Sequence, residues 1–284
     1  MPFLIFFLFL VIAIILYLAF FNETKDSAET FAAESAELQK TFALSIAEAE
    51  KKYQAITNTE DEELKTAKVQ LALELSLAYR DLEKLGEKEL AILDQRYEEI
   101  KQLGDDDDLN AVKVILAEDL IAIYTRAGAN EALMEKAEQL YQEAKFFAKN
   151  NANFKESAMA LVSIQLFGFY TSFGFINLEK QSPDKELVEK IERTYAEAKE
   201  FGFTQDTRQE EILSSLALLF FYNYIEKPDQ IILKKAERIY EEIFNTQLEP
   251  EFIPIKEQAQ EAIETLQKKY TSNISYDILK PIKR

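Results

Sequence analysis

The amino-acid sequence predicts an all-α protein in which a stack of helical hairpins follows one transmembrane helix. The chain of 284 residues contains only six glycines and six prolines, too few for the many turns of an all-β protein. Beyond Asn22, apolar residues recur at spacings of three and four, which is the period of an α-helix. Tyrosines recur about every 45 residues, and a fixed period of this kind indicates structural repeats.

The first element is an unbroken run of nineteen apolar residues at 3–21. A helix of this length spans roughly 28 Å, close to the hydrocarbon thickness of a bilayer. No Lys or Arg precedes the run, and it is longer than the apolar region of a cleaved signal peptide. We therefore predict a transmembrane anchor at 1–22. The acidic flank after it favours a soluble domain on the extracytoplasmic, periplasmic side.

The rest of the chain reads as helices separated by short loops. Glycines are expected at helix ends and prolines at helix starts, and Thr59 with Glu62 forms the pattern of a capping box. We assign 23–58 to a membrane-proximal helix, 59–271 to a helical repeat domain and 272–284 to a basic C-terminal tail. The predicted helices cover 24–57, 60–85, 88–103, 109–127, 130–149, 154–177, 183–201, 207–225, 229–245 and 251–270.

Two series of tyrosines define the repeat. The first, with steps of 44, 44, 54 and 45 residues, consists of Tyr53, Tyr97, Tyr141, Tyr195 and Tyr240. Each member follows an Ala, Leu or Ile by four residues and precedes an Ala or Ile by three, so we interpret these tyrosines as repeat-packing residues on one helix face. The second series, offset by about half a repeat, consists of Tyr79, Tyr124, Tyr170, Tyr224 and Tyr270.

The segments 136–144 and 235–243 resemble the second helix of a tetratricopeptide repeat, with a small residue, an aromatic four later and a small or aliphatic residue three after that. The resemblance covers about residues 60–270. Its period is similar to that of the long-helix repeats of kinesin-light-chain-like proteins. It implies a right-handed α-solenoid of about four to five hairpins that binds other proteins. A HEAT-like helical array has an overlapping period and remains the alternative.

A segment without charged residues at 157–178 lies within the one longer repeat. Its length would allow a second membrane span, a buried core helix or an aromatic surface for a partner, and its polar residues favour the core. Within the segment and the next helix of the same kind, we take as candidate partner-binding residues Phe169, Tyr170, Phe173 and Tyr222. For Phe169, Tyr170 and Phe173, we expect core behaviour at most positions and groove exposure at one or two.

The composition argues against an enzyme. The chain has no His and no Cys, so it cannot form the usual catalytic triads or imidazole and thiolate metal sites. The Asp run at 105–108 lacks the alternating ligands of a calcium loop and is predicted to cap a helix. We therefore expect no catalytic residues, no cofactor and no metal. The formal charge of -18 also disfavours nucleic acid as a partner.

These features predict a membrane-anchored protein–protein interaction scaffold of the cell envelope. It would contact the membrane through residues 3–21 and a protein of unknown identity through its repeat surface, and it could form homo-oligomers. The alternative is an accessory or chaperone-like subunit of a membrane-associated machine, such as a translocon or an appendage. Such a subunit would bind extended segments in the concave groove, where exposed aromatic side chains would be required.

Overall fold

A computed structural model describes residues 45–82, 85–149, 152–177, 185–202, 208–247 and 253–279. These residues form ten helices and no strand, which confirms the all-α class. The predicted anchor at 1–22 and most of the membrane-proximal helix lie outside the described residues. The helices are α1 (45–55), α2 (Glu62–Arg80), α3 (Glu87–Lys101), α4 (Asp107–Arg126), α5 (Glu131–Ala148), α6 (Ala152–Asn177), α7 (Lys185–Phe201), α8 (Arg208–Tyr222), α9 (Gln230–Asn245) and α10 (Ile253–Leu279).

The chain divides into two compact units between Ala127 and Gly128. Among the described residues, unit 1 contains α1 to α4 and unit 2 contains α5 to α10. This division falls inside the range 59–271 that the sequence assigns to one repeat domain. The domain boundaries predicted from the sequence remain predictions.

In unit 1, α2 packs against both α3 and α4, and α3 packs against α4. The apolar core includes Leu75 of α2, Ile100 of α3 and Ile121 of α4, each at most 1% exposed. A buried polar contact also joins α2 to α4, because the Asp119 carboxylate accepts hydrogen bonds from Ser76 Oγ at 2.5 Å and from Arg80 Nη1 at 2.8 Å. Burial of this carboxylate is tolerated because both its oxygens have donors.

In unit 2, consecutive helices pack against each other from α5 to α10, and the even-numbered helices α6, α8 and α10 also form contacts in that order. Each helix therefore buries side chains against its neighbour, and the even-numbered helices do so against their next neighbour as well. Such short-range packing is typical of arrays built from similar units.

Helix ends follow local capping chemistry. The N-cap of α2 is Asp61, whose carboxylate accepts from the amides of Glu63 and Leu64, so the predicted capping box at Thr59 is wrong. Asp106 caps α4 by accepting from Leu109 N, as expected for the Asp run. The last helix extends to Leu279, beyond the end predicted at 270 and into the range assigned to the basic tail.

Helix α6 is apolar and long enough to cross a membrane between Ala158 and Ile176, and 67% of that window is buried inside the protein. It packs against α5, α7 and α8. This burial is what a central core helix requires, which is the interpretation that the sequence favours.

Candidate functional site

The predicted repeat-packing tyrosines lie on the odd-numbered helices α1, α3, α5, α7 and α9. Tyr53, Tyr97, Tyr141 and Tyr195 are at most 7% exposed. Tyr240, the last of the series, is only half-buried. The structure places a recurring polar contact beside this series, and its acceptor is a carboxylate three residues before each tyrosine.

In unit 1, the acceptor on α1 is Glu50. Tyr79 of α2 donates its hydroxyl hydrogen to Glu50 Oε1 at 2.9 Å, and the Arg96 guanidinium of α3 donates to the same oxygen. The next odd-numbered helix repeats the first contact, because Tyr124 of α4 donates to Asp94 of α3. A tyrosine of the following even-numbered helix thus binds each carboxylate.

In unit 2, the same contact occurs twice with a lysine as the cation. Glu138 of α5 accepts from Tyr170 of α6 at 2.8 Å and from Lys190 of α7 at 2.9 Å. Glu192 of α7 accepts from Tyr222 of α8 at 2.8 Å and from Lys235 of α9 at 2.6 Å. Each carboxylate therefore links its own helix to the next two helices. We call this set of carboxylates and their donors the carboxylate seam.

The seam corrects the second tyrosine series. In α8 the equivalent residue is Tyr222, which is 1% exposed, and not Tyr224, which is 49% exposed. In α10 the equivalent residue is Gln267, whose amide donates to Glu237 of α9 at 3.2 Å, and not Tyr270. The first three members of the series occupy the predicted positions.

A second contact joins consecutive odd-numbered helices directly. Tyr53 of α1 donates to Glu99 of α3 at 3.1 Å, and Tyr141 of α5 donates to Glu197 of α7. Lys145 also donates to Glu197 at 3.0 Å. Both acceptors stand two residues after the tyrosine of their own helix, so one register is used in both units.

The hydrogen bonds of this second contact determine the pKa of its carboxylates. Burial acts to raise the pKa of Glu197, but the hydrogen bonds from Tyr141 and Lys145 outweigh it and lower the pKa below its ordinary value. Burial also acts to raise the pKa of Glu99, but hydrogen bonds from Gln95, Lys68 and Tyr53 outweigh it and lower this pKa below its ordinary value. Both carboxylates are therefore ionised at neutral pH, and each is paired with a cation and a hydroxyl.

The tyrosine hydroxyls experience the opposite effect. Burial, and after it the nearby charge of Glu99, raises the pKa of Tyr53 above its ordinary value. Burial and the hydrogen bond to Glu197 do the same for the pKa of Tyr141. These hydroxyls act as permanent donors, which suits a structural contact between helices.

The structure places the candidate partner-binding residues as follows. Phe169, Tyr170 and Tyr222 are at most 2% exposed, and the two tyrosines belong to the carboxylate seam. Their side chains therefore lie inside unit 2. Phe173 is half-buried. This pattern agrees with the expectation that most of these residues are core, and the partner-binding role itself stays a prediction.

Sequence reasoning missed the carboxylates and lysines of the seam, although a signal for them exists. The pattern Lys, then an acid two residues later, then Tyr three residues after that occurs at 136–141, 190–195 and 235–240. Because the lysine and the acid keep a fixed distance from each tyrosine, this pattern predicts that they take part in the contact between helices.

Two residues of the Asp run at 105–108 make contacts within the chain. No group of three His, Cys, Asp or Glu residues in this part is placed to hold a metal ion. In the Asp run, Asp105 accepts from the fully buried Lys113 at 3.0 Å, and Asp106 is occupied as a helix cap. Comparison of the chain with protein-family models, curated proteins and solved structures gave no match.

Proposed function

We propose that this chain is a membrane-anchored protein–protein interaction scaffold of the cell envelope. Its soluble part would be a right-handed, tetratricopeptide-like α-solenoid of about four to five hairpins. The observation that carries the proposal is the carboxylate seam, because the same donors and acceptors recur at equivalent positions of successive helices. Equivalent contacts support a stack of equivalent hairpins, and such a stack offers an extended surface for binding proteins.

The charge distribution supports a protein partner with a basic surface. The chain has a formal charge of -18, while lysines of the seam such as Lys190 and Lys235 are already paired with Glu138 and Glu192. An excess of negative charge therefore remains for the outer surface. Complementary charge would speed association and select partners.

The role of a groove-binding subunit has less support. That alternative needs exposed aromatic side chains on the even-numbered helices, whereas Phe169, Tyr170 and Tyr222 are buried. We therefore propose binding through the outer surface of the helices. Attachment to the membrane rests on the apolar run at 3–21.

The proposal predicts that partner recovery depends on surface charge and on attachment to the membrane. Tagged full-length protein is crosslinked in membranes, solubilised gently and purified beside a variant lacking residues 2–22. Further variants reverse exposed carboxylates one helix at a time, for example Glu131→Lys with Glu135→Lys on α5. At least one charge-reversed variant should lose the partner while keeping its melting temperature.

Two results would contradict the proposal. One is full-length protein that leaves the membrane pellet in alkaline carbonate, since an apolar helix is held by a hydrophobic effect that salt and pH do not screen. The other is a set of charge-reversed variants in which partner recovery falls only when the variant is unfolded. Such a result would mean that the exposed charges do not contribute to binding.

A further inference from the structure

The last hairpin presents a face that combines one acidic and two aromatic side chains. Glu237, Tyr240 and Phe244 follow each other on α9 at spacings of three and four residues, so they lie on one side of the helix. Beside them on α10, Gln267 donates to Glu237 at 3.2 Å, and Gln260 accepts the hydrogen of the Tyr240 hydroxyl. We call these five residues the α9–α10 face.

Equivalent faces earlier in unit 2 are each covered by the next odd-numbered helix. Helix α7 lies against α5 and α6, where Lys190 binds Glu138 and the ring of Tyr195 lies 5.8 Å from that of Phe167. Helix α9 covers α7 and α8 in the same way, and its Lys235 binds Glu192. A lysine of the covering helix is thus a constant feature of the contact.

The α9–α10 face lacks this cation among the described residues. Glu237 corresponds to Glu138 and Glu192, but Gln267 is its hydrogen-bond donor in this part of the chain, and no Lys or Arg there lies within ion-pair distance of it. The face therefore repeats the acceptor of the seam without the lysine that accompanies it elsewhere in unit 2.

The face also differs from the earlier ones in polarity. Lys145 and Lys199 stand four residues after their tyrosines and bind Glu197 and Glu242 of the next odd-numbered helix. At the same position α9 has Phe244, which is 53% exposed. Its ring lies 5.7 Å from that of Tyr240, and Lys256 Nζ of α10 lies 5.4 Å from the centre of the Phe244 ring. A covering helix would meet an exposed ring here, where the earlier ones present a lysine.

We propose that the α9–α10 face binds an amphipathic helix of a partner protein, with a Lys or Arg opposite Glu237 and an apolar side chain seven residues later opposite Phe244. The spacing follows from the seam, because Lys190 and Glu197 of α7 make the two equivalent contacts. Seven residues are two helical turns, so both side chains lie on one face. This inference rests on the proposed function and names its partner class.

The surroundings of the face suit this occupant. Beside it lies an open polar surface of α10 that consists of Glu264, Gln267, Lys268, Thr271 and Ser272. Glu264 of this surface pairs with Lys268 at 4.0 Å, so Glu237 is the acidic group of the face that a partner cation would meet. A cationic helix therefore finds complementary charge as well as an exposed aromatic ring.

The test uses a labelled synthetic peptide with the sequence of residues 229–245 and Leu in place of Glu at position 242. This peptide contains Lys235 and, seven positions later, the apolar residue introduced by Glu242→Leu. Fluorescence anisotropy measures its binding to full-length protein in detergent. We expect saturable binding that weakens at least about tenfold when the peptide carries Lys235→Glu or the protein carries Glu237→Lys. Combining the two charge reversals should restore much of the affinity.

A second protein variant tests the aromatic part of the face. Phe244→Ser should weaken peptide binding by at least about tenfold without lowering the melting temperature, because the ring is exposed. Phe146→Ser on α5 is the matched control, since that ring is 71% exposed and lies outside the face. The control should leave peptide affinity unchanged.

Several results would overturn the inference. Equal affinity of all protein variants would mean that the peptide binds elsewhere, and no binding by the folded wild-type protein would mean that the face does not accept a helix. Binding only after deletion of residues 2–44 would assign the face to the chain itself. A dimer that dissociates on Glu237→Lys, measured by light scattering, would assign it to a second copy.

The inference and the proposed function fail differently. If Glu237→Lys and Phe244→Ser leave recovery of the membrane partner unchanged, the partner binds another surface and only the inference is overturned. If wild-type protein recovers no partner at all while the peptide binds as expected, the face is active and the scaffold role is contradicted.

Discussion

The close approach of α6 and α8 gives a sharp test of the packing in unit 2. Gly174 of α6 is buried, and a Cβ atom added to it would lie 2.5 Å from Cε2 and 3.2 Å from Cζ of Phe221. Phe221 is fully buried and packs edge-on against Phe175 with ring centroids 5.8 Å apart. The ring therefore has little room to move away from an added methyl group.

The substitution Gly174→Ala combines two opposing effects. Alanine in a helix is more favourable than glycine by about 1 kcal/mol, whereas overpacking a closed core costs about 1 to 3 kcal/mol. At Gly168, earlier on α6, an added Cβ would have no neighbouring atom within 4 Å. The helix contribution is common to both sites, so the difference between Gly168→Ala and Gly174→Ala reports the steric cost alone.

We expect Gly168→Ala to be neutral or stabilising and Gly174→Ala to be less stable than it by about 1 to 3 kcal/mol. Denaturant unfolding of full-length protein in detergent, followed by far-ultraviolet circular dichroism, measures both free energies of unfolding. Equal stabilisation by the two substitutions would refute the reasoning, because it would mean that Phe221 does not lie against Gly174.

Three further predictions concern the hydroxyls and carboxylates. Tyr141→Phe removes a hydrogen bond to the ionised Glu197 and should cost about 1.5 to 3 kcal/mol, whereas Tyr240→Phe, at a half-buried site with a neutral acceptor, should cost under about 1 kcal/mol; similar losses in denaturant unfolding would contradict this. The folded-state pKa of Glu197 is lowered from 4.5. The contribution of Glu197 to the free energy of unfolding is therefore complete above pH 4.5 and is lost as the pH falls through the folded-state pKa. Glu197→Gln should therefore show a flatter loss of stability in acid, and an unchanged acid titration of unfolding would exclude this role. The pKa values of Tyr53 and Tyr141 are both raised above 10.0 in the folded protein, so the free energy of unfolding should fall as the pH rises above about 10. Tyrosinate absorbance from these two residues should appear together with the loss of helix. Its appearance while the protein is still folded would count against their burial.

The sequence predicts the helices well because their ends are determined locally. Gly128 and Gly202 adopt the positive φ angles that favour glycine, just after α4 and α7 end. Most predicted boundaries therefore lie within a few residues of those observed. One exception is the end of α2, which the sequence places at 85 because of Gly86; the helix ends at Arg80, and Gly86 is instead the N-cap of α3. Another is the C-terminal end of α10, where no Gly or Pro follows Tyr270 before Pro281.

The position of a side chain around its helix is harder to predict. Tyr222 and Tyr224 are both aromatic and two residues apart, so spacing alone cannot decide between them. The structure selects Tyr222 because its hydroxyl reaches Glu192 on α7, a contact between residues 30 positions apart in the chain. The same limit applies to Phe169 and Phe173, since a helix that is apolar on all sides gives no indication of its exposed side.

The carboxylate seam has a consequence for how such a chain can change length. Consider the segment that consists of one even-numbered helix and the odd-numbered helix after it. It contains a tyrosine that donates to the carboxylate of the preceding odd-numbered helix and, in unit 2, a lysine that donates to the same carboxylate. It also contains one carboxylate that accepts from the donors of the next segment. Duplication of the whole segment would supply every new acceptor with its donors, and excision would bring a remaining acceptor and remaining donors together. A gene with this pattern can therefore gain or lose a hairpin without leaving a half-buried carboxylate unpaired.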